Sequence, residues 1–254
     1  MPPMRPLLLQ FEELDSTSLY ARRLVSAAQP LALQAHLIVA SVQTGGIGRH
    51  GRPWHSPLGG LWMTLLLPQP ARMPVMLALQ VGLAVRGIAQ RALGPATPVQ
   101  CKWPNDIMAD NRKLGGILIE TASAADGLPW LVIGIGLNVN NTSQQLAAEV
   151  RASACSMVEF AGEQVDLAIL TQRLLAALLA TLRTPADDAA AVGAFESVMW
   201  GLSNEAGVAT NVTLPDGSRT FGTLLGIDAA GALRLGQADG TERTITSVSA
   251  YERA

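Results

Sequence analysis

Short apolar runs alternate with polar, glycine- and proline-rich breaks along most of the chain, and the spacing of the apolar positions assigns most of the elements. LLLQFEE (7–13) reads as a first strand. Asp15-Ser16-Thr17 reads as a helix start with Asp15 as the N-cap, and that helix is expected to run to about Ala28. HLIVASVQ (36–43) is a β-rich run that ends at a glycine-rich loop, and LWMTLLL (61–67) is a buried strand beyond it. MPVMLALQVGLAVRGIAQRALG (73–94) has helical spacing and a glycine stop. VQCKW (99–103) is a short strand broken by Pro104. Residues 107–120, IMADNRKLGGILIE, form two strands about the tight polar turn Asp110-Asn111-Arg112. WLVIGIGLNVN (130–140) is another buried strand, and 166–183 and 187–202 are helices.

The texture changes near residue 205. From there short β runs follow one another, separated by turns at Pro215-Asp216-Gly217 and Asp228-Ala229-Ala230-Gly231. The chain therefore divides into a larger α+β part, 1–205, and a small all-β, barrel-like part, 206–254.

Composition narrows the class. A length of 254 residues with 49% hydrophobic residues supports a sizeable core, and only 15% of residues are charged. The apolar run LWMTLLLP is too short to cross a bilayer, which takes about 20 residues. The N-terminus lacks the pattern of a secretion signal. A net charge of −2 and a pI near 5.9 argue against nucleic acid as the main partner. Two cysteines, Cys101 and Cys155, and three histidines, His36, His50 and His55, suggest neither a disulfide framework nor a zinc site, and a cytoplasmic location is expected.

The loop GGIGRHGRPWHSP (45–57) contains Gly46-x-Gly48-x-x-Gly51, the pattern of a dinucleotide fingerprint. That fingerprint opens a helix, and Pro53, Pro57, Gly59 and Gly60 forbid one here. No acidic residue follows in 65–75 to hold a ribose. The loop instead offers Arg49 and Arg52 among backbone N–H groups able to cup an anion, with Trp54 as an apolar plate. Ordering about ten such residues costs on the order of 10 kcal/mol, which a ligand must largely offset, so a lid that orders on occupancy is expected.

KWPND (102–106), KLGGILIE (113–120) and GIGLNVN (134–140) follow in that order. Together with DSTS (15–18) and the glycine loop they resemble the biotin protein ligase family over about residues 11–140, with order and spacing kept. The last part of the chain fits that family's small SH3-like domain more loosely. The resemblance implies a mixed sheet flanked by helices, of the class II synthetase and biotin ligase type, followed by an SH3-like barrel. It implies a two-step ligase. Biotin and ATP, with Mg²⁺, give biotinyl-5′-AMP and pyrophosphate; a lysine of a biotin carboxyl carrier domain, as in acetyl-CoA carboxylase, then takes the biotin and releases AMP.

The residues suit that task. Lys113 falls at the family's catalytic lysine, just after a tight turn, where an ammonium reaches both a carboxylate and an α-phosphate. Arg49 joins it as a catalytic candidate. The matching positions for biotin are Ser16, Thr17, Ser18, Gln43 and Gly48, with Arg49 and Lys113, and with Gly115 and Gly116 leaving room for close backbone approach. For ATP and the adenylate they are Arg49, Arg52, Trp54, Lys102, Asn105 and Asn138. Lys102 also reads as a purely structural cation. Asp106 is a candidate for contact with Mg²⁺, which takes oxygen ligands and often only one or two from protein.

Several positions depart from the family pattern. Ile47 stands where an arginine is usual, so Arg49 carries more of the anion; His50 replaces another basic residue and Ser18 an asparagine. SVSAYERA at the C-terminus lacks a clean match to the family's closing S-L-R, which leaves an ATP contact from Tyr251 or Arg253 without support. The catalytic match begins within about the first fifteen residues, so a ligase without a DNA-binding, repressing domain is expected. A lipoate–protein ligase and a non-catalytic binding protein of the same fold remain as alternatives. An exposed strand edge is expected either to pair two copies as a homodimer or to dock the carrier domain.

Overall fold

The computed structural model describes residues 5–27, 33–69, 76–183, 188–200, 202–203 and 206–254. The larger part is built on seven strands: β1 (Leu7–Leu14), β2 (His36–Gln43), β3 (Leu61–Pro68), β4 (Val99–Lys102), β5 (Asp106–Ala109), β6 (Arg112–Ser123) and β7 (Pro129–Leu137). They form one sheet in the order β1-β2-β3-β7-β6-β5-β4. The β1–β2 pair is parallel, joined through helix α1 (Thr17–Ser26), and the other pairs are antiparallel. The sheet is therefore mixed, as expected.

The central strands β3 and β7 are buried on both faces, and their period of two sorts their side chains. Leu66, Val132 and Ile38 pack under α1 with Ala21 and Val25. Leu65, Leu67 and Ile133 join the opposite core, beneath α2 (Leu77–Leu93) and α4 (Leu167–Arg183). Two further helices, α3 (Met157–Ala161) and α5 (Asp188–Glu196), complete that layer.

Local chemistry moved some boundaries. The α1 cap is Ser16, whose side chain accepts from the Leu19 N–H at 3.4 Å. Asp15 does not cap the helix: it accepts from the Ser16 N–H and grips both Arg23 nitrogens at 2.6 and 2.8 Å. The helix ends at Ser26, and residue 28 lies outside the described residues. The start expected for α2 at 73 also lies outside them; its stop before Gly94, at φ 72°, is as read. β7 ends at Leu137 because Asn138 to Asn141 form a turn, in which Asn141 Oδ1 accepts from the Val139 N–H. The β5–β6 turn carries positive φ at Asp110 (48°) and Asn111 (56°), the primed geometry that favours such residues.

After the short pair β8 (Leu202–Ser203) and β9 (Ala206–Gly207) comes a second sheet: β10 (Ala209–Thr213), β11 (Arg219–Ile227), β12 (Leu233–Gly236), β13 (Glu242–Ile245) and β14 (Ala250–Arg253). Its order is β13-β12-β11-β10-β14, all antiparallel. This corrects the expected barrel. The four-residue outer strands β13 and β14 each pair on one side only, and no closed barrel exists among the described residues. The sheet leans on the larger part instead. Glu196 accepts from the Ile227 N–H at 2.6 Å, and Trp103 donates its indole N–H to the Gly231 carbonyl at 2.9 Å. No helix among the described residues is long and apolar enough to cross a membrane.

Candidate active site

On the α1 face of the large sheet, between the glycine loop, the KWPND turn and the last strand of the small sheet, lies a cleft of about 380 Å³. That is within the size range of small-molecule sites. One end is lined by hydroxyls and amides. Ser16, Thr17 and Ser18 sit at the start of α1, all buried, with Gln43 at the end of β2. Gln43 Oε1 accepts from the Thr17 backbone N–H at 2.8 Å and its hydroxyl at 3.1 Å, and Gln43 Nε2 donates to Ser56 Oγ at 2.7 Å.

The glycine loop folds as a two-legged flap. Gln43 N–H bonds the Ser56 carbonyl at 3.1 Å, Trp54 N–H the Gly46 carbonyl at 2.8 Å, and Gly48 N–H the Arg52 carbonyl at 2.8 Å. Its tip is a single 3₁₀ turn, Arg49–Gly51, with positive φ at His50 (57°) and Gly51 (69°), and the chain leaves it extended at Arg52. No helix opens there, in accord with the rejection of a dinucleotide fingerprint. The tip reaches across to the β4–β5 turn and to the loop between β13 and β14: Arg49 donates to Asn105 Oδ1 at 3.3 Å and Ser247 Oγ at 3.4 Å, and Arg52 to the Ser249 carbonyl at 2.8 Å.

Trp54 lies flat against two strand glycines. A methyl at Gly116 would fall 3.3 Å from its ring, and one at Gly136 would fall 2.5 Å from its Nε1. Gly116 and Gly136 are register partners, so the two glycines make one smooth seat across β6 and β7. The Trp54 Nε1 is buried with no hydrogen-bond partner.

The other end of the cleft is cationic. Arg49, Arg52, Lys102 and Lys113 line it, against Asp106 as the one acidic residue among the described lining. Lys113 Nζ lies 2.7 Å from Asp106 Oδ1 and 5.1 Å from the centre of the Trp54 ring. The Lys113 backbone is held by a bridge to 153–155: its N–H bonds the Ser153 carbonyl at 2.7 Å, and its carbonyl accepts from Cys155 at 3.0 Å. Lys102 Nζ sits 4.3 Å from the Trp200 ring and 4.9 Å from Tyr251. Burial pushes Arg49 and Lys102 below their ordinary pKa values, and Asp106 opposes the shift in both. Crowded, half-desolvated cations with one counter-charge form a field suited to a polyanion.

The cleft gathers almost every residue nominated from sequence: Ser16, Thr17, Ser18, Gln43, Gly48, Arg49, Arg52, Trp54, Lys102, Asn105, Asp106, Lys113, Gly116 and Asn138. Gly115 is the exception. Its missing side chain faces Leu137 and the Gly136 carbonyl, so its smallness serves packing between β6 and β7 and not the cleft. Asn105 is more structural than expected. Its Nδ2 donates to the Ile117 carbonyl at 2.9 Å while its Oδ1 takes Arg49. Asn138, buried, is steadied by Asn141 at 3.0 Å. Sequence reading missed Ser56, Thr64, Ser247 and Ser249, and Tyr251 lines the cleft although its motif matches poorly. A lone hydroxyl inside LWMTLLL was the available signal for Thr64.

A family model described as biotin/lipoate A/B protein ligase matches residues 14–139, and a biotin protein ligase C-terminal domain matches 207–248. The bifunctional ligase/repressor BirA of Bacillus subtilis (strain 168) is 33% identical over 240 residues, which cover 93% of this chain and 71% of that protein. This chain belongs to the biotin protein ligase family. The biotin–[acetyl-CoA-carboxylase] ligase of Mycobacterium tuberculosis is 33% identical over 164 residues, 63% of this chain and 58% of its own. The biotin protein ligase from Aquifex aeolicus, solved in complex with biotin and ATP, superposes with a TM-score of 0.79 at 26% identity, covering 98% of this chain and 99% of that one. For this biotin ligase the metal question turns on Asp106. No group of three His, Cys, Asp or Glu side chains able to hold a metal ion exists among the described residues, and Asp106 is engaged by Lys113. These residues fit only an ion carried mainly by phosphate oxygens, since Asp106 is the one carboxylate in the described lining of the cleft.

Proposed function

We propose that this ligase joins the carboxylate of biotin to the α-phosphate of ATP and passes the biotin to a lysine of a biotin carboxyl carrier domain. The observation that carries the reading is the division of one cleft into a buried hydroxyl–amide end and a four-cation end, with Lys113 among the cations and paired to Asp106. In the first step a carboxylate oxygen attacks the α-phosphorus and pyrophosphate leaves. Lys113, drawn from Asp106, bridges the attacking carboxylate and the phosphate oxygens; Arg49, Arg52 and Lys102 offset the charge of the triphosphate. A magnesium ion brought with the nucleotide would supply charge neutralisation at the phosphates, and Asp106 would be the residue to hold it. In the second step the carrier's lysine amine attacks the acyl carbonyl, an amide forms, and AMP leaves with a proton lost from the amine. The mixed anhydride is open to water, and the flap with Trp54 beneath it shields the acyl phosphate.

The carrier docks, on this reading, near the open mouth of the cleft. The free edge of β1, where Leu7 and Leu8 are exposed, is a strand edge that either a carrier domain or a second copy of the chain can extend. The deciding test mixes the protein with ATP, magnesium and either biotin or lipoate and measures pyrophosphate. Release with biotin alone is expected. Release with lipoate alone places the chain among lipoate ligases, and release with neither makes it a non-catalytic protein of this fold.

A further inference from the structure

Thr64 is the hydroxyl in the apolar strand β3, is fully buried, and does not line the cleft. Its register partner on β7 is Gly134. A methyl at Gly134 would fall 2.5 Å from Ser18 Oγ, so that glycine leaves the space the Ser18 hydroxyl fills. Between these strands and the first turn of α1, three hydroxyls meet. Thr64 Oγ1 is 3.1 Å from Ser18 Oγ and 2.9 Å from Thr17 Oγ1.

Proton counting gives this cluster a direction. The Thr17 backbone N–H is a donor only, so the Gln43 atom facing it at 2.8 Å is the carbonyl oxygen. The Thr17 hydroxyl donates its single proton to that same oxygen at 3.1 Å. Thr64 must then be the donor to Thr17, and Ser18 the donor to Thr64. On the far side, Gln43 Nε2 gives one proton to Ser56 Oγ, whose own proton goes to the Trp54 carbonyl at 3.2 Å. Both residues line the cleft, and the count leaves Thr17 Oγ1 a lone pair but no free proton and the Gln43 amide one N–H not used in these bonds. An acceptor beside a donor complements a cyclic urea, which offers an N–H next to a carbonyl.

We propose that Thr64 is a positioning residue for biotin, acting through Thr17 by occupying one lone pair of its hydroxyl oxygen and so fixing the direction of the other; this rests on the biotin-ligase reading above. Thr64 touches no ligand. Removing its hydroxyl leaves the Thr17 oxygen without its buried donor, held through Gln43 alone, and leaves the buried Ser18 hydroxyl without its acceptor. The effect falls on the biotin end and spares the nucleotide end, where Arg49, Arg52 and Lys102 are held by other partners.

The test is biotin titration by calorimetry on the full chain, with the KM for ATP measured in parallel. Thr64→Val keeps the shape and removes the hydroxyl; it is expected to raise the biotin Kd about tenfold with the ATP KM within twofold of wild type. Thr64→Ser restores the hydroxyl without the methyl and is expected to bind biotin as wild type does. Thr64→Cys, a weak donor of similar volume, is expected to fall between them and serves if the valine variant does not fold. The proposal is overturned if Thr64→Val or Thr64→Cys binds biotin as tightly as wild type. It is equally overturned if Thr64→Ser weakens binding as much as valine does, because packing alone then explains the site. A wild-type protein that binds no biotin at all removes the ligase reading itself, a result distinct from either.

Discussion

Lys113 and Asp106 face each other across the β5–β6 hairpin, with Nζ 2.7 Å from Oδ1, and the backbone of Lys113 is bonded on both sides to 153–155. The Lys113 side chain is thus held by a counter-ion at the cleft, while its root is fixed in a sheet.

Lys113→Ala is expected to lower biotin-dependent pyrophosphate release by roughly 10²- to 10³-fold, the scale of losing one charge-stabilising group in an acyl-transfer site. Melting should change little, since the side chain is part-exposed and its ion pair sits at the cleft. Undiminished adenylate formation by this variant would remove Lys113 from the mechanism. Asp106→Asn, which keeps the shape and removes the counter-charge, is expected to show a smaller loss of about tenfold, on the scale of one charge-assisted hydrogen bond.

Arg49 anchors the flap tip to Asn105 and to Ser247 of the β13–β14 loop, and Ile47 beside it brings no charge. Arg49→Ala removes both the tether and one of the four cations. A hydrogen bond to a charged group is worth about 1.5–3 kcal/mol, so the KM for ATP is expected to rise roughly 10- to 100-fold. Formation of biotinyl-AMP at the normal rate would show that Arg49 is misassigned.

The large sheet was legible because β2, β3, β6 and β7 are apolar runs bounded by turn residues, and their period survives folding. The site was legible where motifs put the chemistry on strand ends and turns: Lys113, Asp106, the DSTS turn and the flap arginines all reached one cleft. What was lost is three-dimensional. The small sheet's openness depends on which of its outer strands pair, and sequence spacing is silent on that. The approach of Ser247 and Ser249 to Arg49 and Arg52 spans nearly two hundred positions of chain. The misread cap had a local cause: Arg23 drew Asp15 away, and Ser16 took its place. The short helix α3 was readable, since Ser156 and Glu159 bond each other in the S-x-x-E pattern, yet five residues leave too little periodicity to notice.

Gly136 tests the seat of Trp54. Its backbone lies in ordinary strand geometry, so alanine brings no conformational strain and acts only by contact, with its methyl 2.5 Å from Trp54 Nε1. Gly136→Ala is expected to lift the indole off β7, lower adenylation roughly 5- to 150-fold, on the scale of the 1–3 kcal/mol overpacking typically costs, and leave the core intact. Tryptophan fluorescence reads the displacement directly. An unchanged spectrum with unchanged activity would mean that the seat adjusts freely.

His36 begins β2, buried beside Trp130 with ring centres 6.3 Å apart, and its Nδ1 has no hydrogen-bond partner. Burial lowers its pKa below the ordinary 6.5, partly opposed by a backbone contact at Gln34. The folded protein therefore takes up a proton at this site at lower pH than the unfolded chain does. Between 6.5 and the lowered native value the unfolded state binds more protons, so stability falls as pH falls, and it is fully retained above 6.5. One such proton changes stability by at most about 1.4 kcal/mol per pH unit across that window. His36→Leu removes the titration and keeps an apolar side chain in the core. Urea unfolding at pH 7.5 and pH 5.5 is expected to show wild type losing more stability on acidification than the variant. Equal losses in the two proteins would mean that other groups govern the acid limb and that His36 is protonated as easily folded as unfolded.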